Sequence, residues 1–445
     1  MTFYEFRDIL FKLALEKGCE SAEVYASSSD GFSVTVLDSE LDKYSVEQEN
    51  GLNLRVLING KTGYAYTEVF EDAEELVRHA IDNAAAIEST DVSPMQGACV
   101  YPRIEDTPDP LAGLDAKEKI ELARRLEKDT LAFDSRVARC GQYNSVSTGT
   151  VKTHIHNTLG LAADTEKSVS YVIVNPILRQ GDEEHMGFSF KFRPTEDDIS
   201  ALIRESVENA LNEFNASPVD SGDYRILLRN DAAADLLSAF FSMFSAEAVQ
   251  KGLSLLSGKV GESIAAGCVS VVDDPFMKDN PRAFDAEGVP SVKTDVIVNG
   301  RLNTYLYNLK TALKDGVAST SNAGRMGVAA PVGIAPSNFC IAAGEKSFDE
   351  LKKELGNGLI ITDLSGLHAG INTVSGDFSL IAKGLLVENG ETVRSVDQIT
   401  CAGNFLTLMR DIEAVGSDLR WAFGGGSGRV GSPSLLIKKV VVSGK

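Results

Sequence analysis

The Asn-Gly pairs at residues 59–60, 299–300 and 389–390, each set between β-type residues, constrain this chain more than any other feature. A two-residue connection between strands needs positive φ at both positions, which Asn and Gly tolerate, so each pair marks an antiparallel hairpin. Further β-type runs fall at 23–26, 32–37, 52–58 and 63–67, then at 148–156, 162–174 and 185–192. A third group falls at 268–272, 291–298, 304–307, 359–362, 379–387 and 435–442. Helical periodicity interrupts them at 71–87, 115–130, 196–214 and 232–249. There is no strict strand–helix–strand alternation and no short repeat, so the expected class is α+β and not a parallel sheet.

The chain opens on Thr2-Phe-Tyr-Glu5, a capping box in which Thr2 and Glu5 satisfy backbone donors at a helix start. Phe6, Ile9, Leu10, Leu13 and Ala14 follow at helical spacing, and Gly18 ends the helix. A Pro-bearing stretch at 93–110 and a polar joint at 217–222 divide the 445 residues into three expected segments. These are an N-terminal α+β domain with linker (1–110), a middle α+β domain (111–220) and a C-terminal β-rich domain (221–445). The expected architecture is an antiparallel-sheet N-terminal region with flanking helices, followed by a larger β-rich lobe. A chain of this size buries enough surface to need no disulfide or metal staple.

With 43 Lys+Arg against 64 Asp+Glu, the net charge is −21, which repels nucleic-acid phosphates and anionic lipid. The six cysteines, Cys19, Cys99, Cys140, Cys268, Cys340 and Cys401, are scattered without a C-x-x-C pair, and read as buried thiols in a reducing compartment. Residues 1–15 lack the uninterrupted apolar core of a secretory signal, and no stretch approaches the ~20 apolar residues of a membrane span. The expected location is cytoplasmic, with neither nucleic acid nor membrane as partner.

Catalytic constellations are scarce. There is no His-Glu-x-x-His, no Gly-x-Ser-x-Gly elbow, no Walker loop and no dinucleotide fingerprint. Of the five histidines, His154 and His156 lie two apart on a predicted strand and face one side, but no third metal ligand is evident nearby. Gly424-Gly-Gly-Ser-Gly428 reads as a flexible loop or a close backbone approach, and Asp273-Asp274-Pro275 as a turn before proline. His368, Ser375 and Asp377 invite a triad, but the glycines around them favour a structural loop.

Specificity enters with an ordered set of segments: Ser270-Val-Val-Asp-Asp-Pro275, Phe284-Asp-Ala-Glu-Gly-Val-Pro290, Ser319-Thr-Ser-Asn-Ala-Gly-Arg325 and Pro336-Ser-Asn338. Gly366-Leu-His-Ala-Gly-Ile-Asn-Thr-Val-Ser-Gly-Asp-Phe-Ser379 and Leu386-Val-Glu-Asn-Gly390 complete it. In this order they resemble the TldD/PmbA family of peptidase subunits, and 51–66 with Asn157-Thr-Leu-Gly160 extend the resemblance along nearly the whole chain.

The resemblance implies a pair of unlike subunits that act as a protease on unfolded or peptide substrates in an enclosed chamber. The TldD branch carries zinc on a His-Glu-x-x-x-His helix, together with a C-terminal cysteine; the PmbA (TldE) branch lacks both. Here the corresponding positions fall at about Leu237, Ser238 and Ser242, no histidine lies between His185 and His368, and no cysteine follows Cys401. Ala233, Leu237, Phe240, Phe241 and Phe244 form an apolar stripe, and Ser238, Ser242 and Ser245 a small polar one. With serine at 242, no bulge is expected in this helix. The resemblance therefore implies a non-catalytic PmbA/TldE-type subunit with no cofactor of its own, its zinc brought by a TldD-type partner. His368, Asn372, Gly376 and Asp377 are the candidates for lining the peptide chamber. Two other classes stay open: a stand-alone homodimeric metallopeptidase built around His154 and His156, and a non-enzymatic regulator acting through a protein partner.

Overall fold

A computed structural model describes residues 1–88, 91–105, 107–424 and 428–445. The central residues of the glycine-rich loop at 424–428 lie outside the described residues. An antiparallel six-stranded sheet runs in the order Lys61–Thr67, Glu40–Ile58, Ser21–Leu37, Ser145–Asn157, Ala162–Val174, Ser189–Phe192. The sheet thus draws strands from both sides of residue 110. Strand Ser21–Leu37 joins two predicted runs, strand Glu40–Ile58 extends the predicted run at 52–58 back to residue 40, and their hairpin turns at Asp38-Ser39, with φ of 53° and 66°.

Alternation gives the sheet two unlike faces. Ala22, Val24, Leu52, Leu54 and Val56 pack against helices α1 (Phe3–Glu16) and α2 (Ala73–Ala86), whose buried positions include Phe6, Leu10, Val77 and Ala80. The Thr2/Glu5 capping box is formed as the sequence implies. Farther along, Val34, Val36, Val146 and Val172 meet α3 (Ala116–Phe133) and α4 (Glu196–Leu211). The opposite face carries Glu23, Tyr25, Asn53 and Arg55 and docks on the C-terminal lobe.

Segments 284–290 and 319–325 of the family resemblance, with 51–66 and Asn157, meet at that docking surface. Arg55, fully buried, sits 2.7 Å from Glu23 on the neighbouring strand and 3.7 Å from Glu287 across the junction. Burial, opposed by Arg55 and reinforced by Asp285, pushes the Glu287 carboxyl up to about 8. Asp285 accepts from the backbone N–H groups of Glu287, Val289 and Ala323, tying two segments together. Asp273 does the same for Ser337 N–H and the Asn322 amide. It is a buried joint, not the simple turn expected before Pro275. Arg325 lies over the Tyr25 ring at 4.7 Å, and Asn157 donates to Glu23.

The C-terminal lobe is built on a ring of five strands, Gly222–Leu228, Gly358–Ser365, Asp377–Glu388, Glu391–Asn404 and Leu435–Ser443, the last pairing back to the first. The first pair is parallel and the others antiparallel. The Asn299-Gly300 and Asn389-Gly390 turns connect Val298 to Arg301 and Glu388 to Glu391 as predicted. A second mixed sheet (301–302, 294–298, 271–273, 338–341, 429–432, 420–421) lies alongside, and helix α5 (Asn230–Phe240) packs against its strand 429–432 and against strand 358–365. The largest core of the molecule fills the space between them.

Three expectations need correction. The helix predicted over 232–249 is three pieces: α5, a 3-10 turn at Phe241–Phe244 and a short helix Ala246–Gln250. Residues 304–307 form no strand. Among the cysteines, Cys268 is exposed and Cys99 half-buried, while the other four are buried, and all six are free thiols.

Candidate functional site: the open face of α5 and the cleft beside it

Helix α5 leaves the end of the first barrel strand at Arg229, whose guanidinium is held on three sides. It donates to both oxygens of Asp231 at 2.8 and 2.6 Å, to Asn209 Oδ1 at 2.8 Å and to Thr362 C=O at 3.1 Å. Asn209 belongs to α4, so this arginine also fixes the middle segment against the C-terminal lobe. From there the apolar stripe faces inward: Ala233, Leu237, Phe240 and Phe244 are buried, with Phe240 stacked on Phe405 at 4.6 Å. Phe241 is half-buried.

The other side of the helix carries Asp231, Asp235, Ser238 and Ser242, spaced i, i+4, i+7 and i+11, a single face. Leu237, one of the three zinc-equivalent positions, is therefore in the core, while Ser238 and Ser242 are exposed together. Contrary to expectation, the helix does change its winding here, to the 3-10 turn that carries Ser242. The local irregularity is a property of this backbone and does not require a metal ligand to enforce it.

The upper half of this face opens into a cavity of 320 Å³ between the middle segment and the C-terminal lobe. Asp231, Asp235, Thr362, Asp363 and Arg420 line it, as do Phe188, Phe190 and Phe423, the last packed edge-to-face on the other two. Trp421 completes that side, with the Arg429 guanidinium 4.2 Å above its ring. Electrostatics sort the two α5 carboxyls. At Asp231, burial is overcome by the paired Arg229 charge and its hydrogen bonds, and the carboxyl stays below its usual range. Asp235 has no such partner: burial first, then the charges of Asp231 and Asp363, push it up to about 7, with Arg420 only partly offsetting them. The sequence reading missed Asp235 and the cleft. The i−3 and i−7 positions from Ser238 on the same helical face were the available signal.

The remaining candidates lie on the loop joining strands 358–365 and 377–388. Asn372 is exposed, and its side-chain oxygen accepts from the Val374 and Ser375 N–H groups, so it shapes the loop. Gly376, at φ 80°, has no room for a Cβ, which would meet Leu255 Cδ1 at 2.9 Å. Asp377 is tied to Asn404 Nδ2 at 2.9 Å, and Ser375 Oγ accepts from its N–H. His368 is exposed, and among the described residues no hydrogen bond joins it to Ser375 or Asp377. The loop abuts the α5 end through Phe378, 6.5 Å from Phe240 between ring centres.

His154 and His156 do gain a third neighbour. Asp164 stands opposite His154 in the next strand, and one of its oxygens lies 2.5 Å from His154 Nδ1 and 2.8 Å from His156 Nε2. The three ligand atoms lie within 4.8 Å of one another. Arg7, however, approaches His156 Nδ1 at 2.7 Å. A guanidinium only donates, so Nδ1 is the acceptor and the ring proton sits on Nε2, pointing at Asp164. In this arrangement His156 has no free lone pair for a metal unless Arg7 withdraws, and the arginine charge opposes one. The cluster is a hydrogen-bonded latch that seats the first turn of α1, where Phe3 stacks on His154 at 4.6 Å.

Comparison with known proteins agrees along the whole length. Three family models match in order: PmbA/TldA metallopeptidase domain 1 at residues 22–84, the central domain at 109–213 and the C-terminal domain at 221–444. The Escherichia coli O157:H7 protein named metalloprotease PmbA is 27% identical over 90% of this chain and 88% of its own. Among solved structures, a Thermotoga maritima protein, a proposed modulator of a DNA gyrase, is 35% identical with a TM-score of 0.89, covering 99% of this chain and all of its own. TldE from Thermococcus kodakarensis has the same fold, with a TM-score of 0.89 at 22% identity, 99% of this chain and all of that one being covered.

Proposed function

The chain belongs to the PmbA/TldD metallopeptidase family, and from that premise we propose that it is the non-catalytic, PmbA/TldE-type subunit of a metalloprotease complex that degrades or trims unfolded peptides. One observation carries this reading: the open face of α5 presents Asp231, Asp235, Ser238 and Ser242, with no imidazole among them. Peptidase zinc is held by imidazole and carboxylate ligands and needs a carboxylate base beside its water. The leucine and two serines at 237, 238 and 242 do not fit that ion, so no zinc-dependent step is assigned to this chain. Zinc and hydrolysis belong to a TldD-type partner in the cytoplasm. This subunit's contribution is a wall of the substrate chamber, formed by the small serines of α5 and the 366–378 loop.

The test is peptidase activity on an unfolded protein, comparing this chain alone, a TldD-type homologue alone and the two together. Turnover that appears with the homologue, is raised by this chain and is lost on chelation is the expected result. Chelator-sensitive turnover by this chain alone overturns it. In that event the convergence of His154, His156 and Asp164 favours the stand-alone reading, and His154→Ala with His156→Ala would abolish the activity.

A further inference from the structure

We infer that the cavity beside α5 is a recognition pocket for the cationic side chain of a basic residue in a peptide. The inference rests on the peptide-handling reading above and names the substrate feature that reading leaves open. Five carboxylates line the cavity: Glu213, Asp231, Asp235, Asp363 and Asp397. Its three cations are already committed, Arg229 to Asp231, Lys383 to Glu213 at 2.7 Å and Arg420 to Glu205 on α4. That leaves Asp235, Asp363 and Asp397 without a salt-bridge partner. Among the described residues, Asp363 accepts only from the Ser365 hydroxyl, and Asp397 only from the Gln398 N–H. Asp235 has no hydrogen-bond donor among the described residues, although it is half-buried. An anion would enter against this field, while a cation relieves it.

The walls narrow the cation further. Phe190 already carries the Arg420 guanidinium at 5.9 Å from its ring centre, so the aromatic side tolerates positive charge at its face. Among the described residues, the ligand atoms that converge within 4.8 Å belong to the His154 cluster and not to this cavity. At 320 Å³ the space lies at the small end of ligand pockets, which run ~300–1,000 Å³, and suits one or two side chains. Its mouth is open to solvent past Met186 and Phe423, which are 53% and 51% exposed. A long stem against aromatic rings with a charged head at carboxylates is the shape of lysine or arginine.

The chain has a single tryptophan, Trp421, and it lines this cavity, so intrinsic fluorescence reports occupancy directly. The full chain is titrated with N-acetylated, C-amidated Ala-Lys-Ala and with its Ala-Glu-Ala counterpart, which differ only in side-chain charge. The expected result is a saturable change with the lysine peptide, none with the glutamate peptide, and at least tenfold weaker binding in the Asp235→Asn/Asp363→Asn variant. Thermal unfolding of that variant confirms that it is folded. Equal responses to the two peptides, an undiminished response in the variant, or no response in the wild type overturns the inference. Reconstituted peptidase activity without lysine binding leaves the subunit reading standing and removes the pocket. Lysine binding without reconstituted activity does the reverse.

Discussion

At the scale of single residues, Asp235 makes the most quantitative statement. An ordinary unfolded carboxyl titrates near pH ~3.9, whereas this one, facing Asp231 and Asp363 with Arg229 and Arg420 beyond them, is held up to about 7 in the fold. Its raised folded value means the native state holds the proton more tightly than the unfolded chain. The stability this confers is present in full below pH ~4 and is lost progressively as pH rises to about 7. Asp235→Asn keeps the shape and removes the charge, so its advantage over wild type should be absent at pH 4 and reach about 1–3 kcal/mol at pH 8. Relaxation keeps it below the ~4 kcal/mol that three pKa units represent. Urea unfolding at the two pH values measures it, and an advantage independent of pH would refute the assignment. Helical spacing could place this residue on one face with Asp231 and Ser238, but its raised titration was not readable, because nothing on the helix says that the fold will bring Asp363 to it. Asp164 was different. With the strands read as 148–156 and 162–174, pairing 156 with 162 already places residue 164 opposite 154, so the third partner of the histidines was legible in the sequence.

Secondary-structure elements were read well where a residue's own backbone preference decides the geometry. Asn59-Gly60, Asn299-Gly300 and Asn389-Gly390 all form the expected turns, each with both residues at positive φ. The same dipeptide at Asn50-Gly51 lies inside a strand. There glycine serves a close approach: a Cβ on Gly51 would meet Val328 Cγ2 at 2.5 Å, an atom of the other lobe. Conversely, the longest hairpin turns on Asp38-Ser39, which carry no such signal and adopt the left-handed conformation at a cost. Ser39 is held there by its backbone N–H, which donates to Glu127 at 2.8 Å, and its hydroxyl is not used in that bond. Ser39→Gly should therefore stabilise the protein by about 0.5–1 kcal/mol, the ~1–2 kcal/mol strain of an L-residue less the extra freedom glycine has when unfolded. A thermal shift upward with unchanged fold confirms it. A loss of stability would mean that the serine side chain has a role in the turn. The break in α5 at 241 was missed for a related reason. Leu237, Phe240, Phe241 and Phe244 satisfy helical periodicity, and it is core packing against Phe339 and Phe405 that sets where the winding changes.

For the whole molecule, two of the ordered segments that mark the family, 284–290 and 319–325, are hardware of the joint between the N-terminal sheet and the C-terminal lobe. Their order was readable, but their role was not, because Glu23, Arg55, Glu287 and Arg325 are brought together only by tertiary docking. Arg55 decides how much that joint is worth. Its charge is enclosed, within 2.7 Å of Glu23 and 3.7 Å of Glu287, in a region from which water is excluded. Glu287 is pushed up to about 8 and can go neutral, while Glu23 accepts from Asn157 and has Arg55 as its salt-bridge partner. Arg55→Met then strands a buried carboxylate and should cost about 3–5 kcal/mol. Removing the partner as well, in Arg55→Met/Glu23→Leu, takes out the stranded carboxylate and should recover a large part of that loss. The two variants thus separate a charge requirement from a packing one. Urea midpoints for wild type, single and double variants measure the recovery. If the double variant is no more stable than the single, the joint is held by shape, and the ion pair is only a passenger. If the double variant recovers, the cost of the single variant is the stranded Glu23 charge, and packing of the sheet face opposite the four helices holds the joint once both charges are gone.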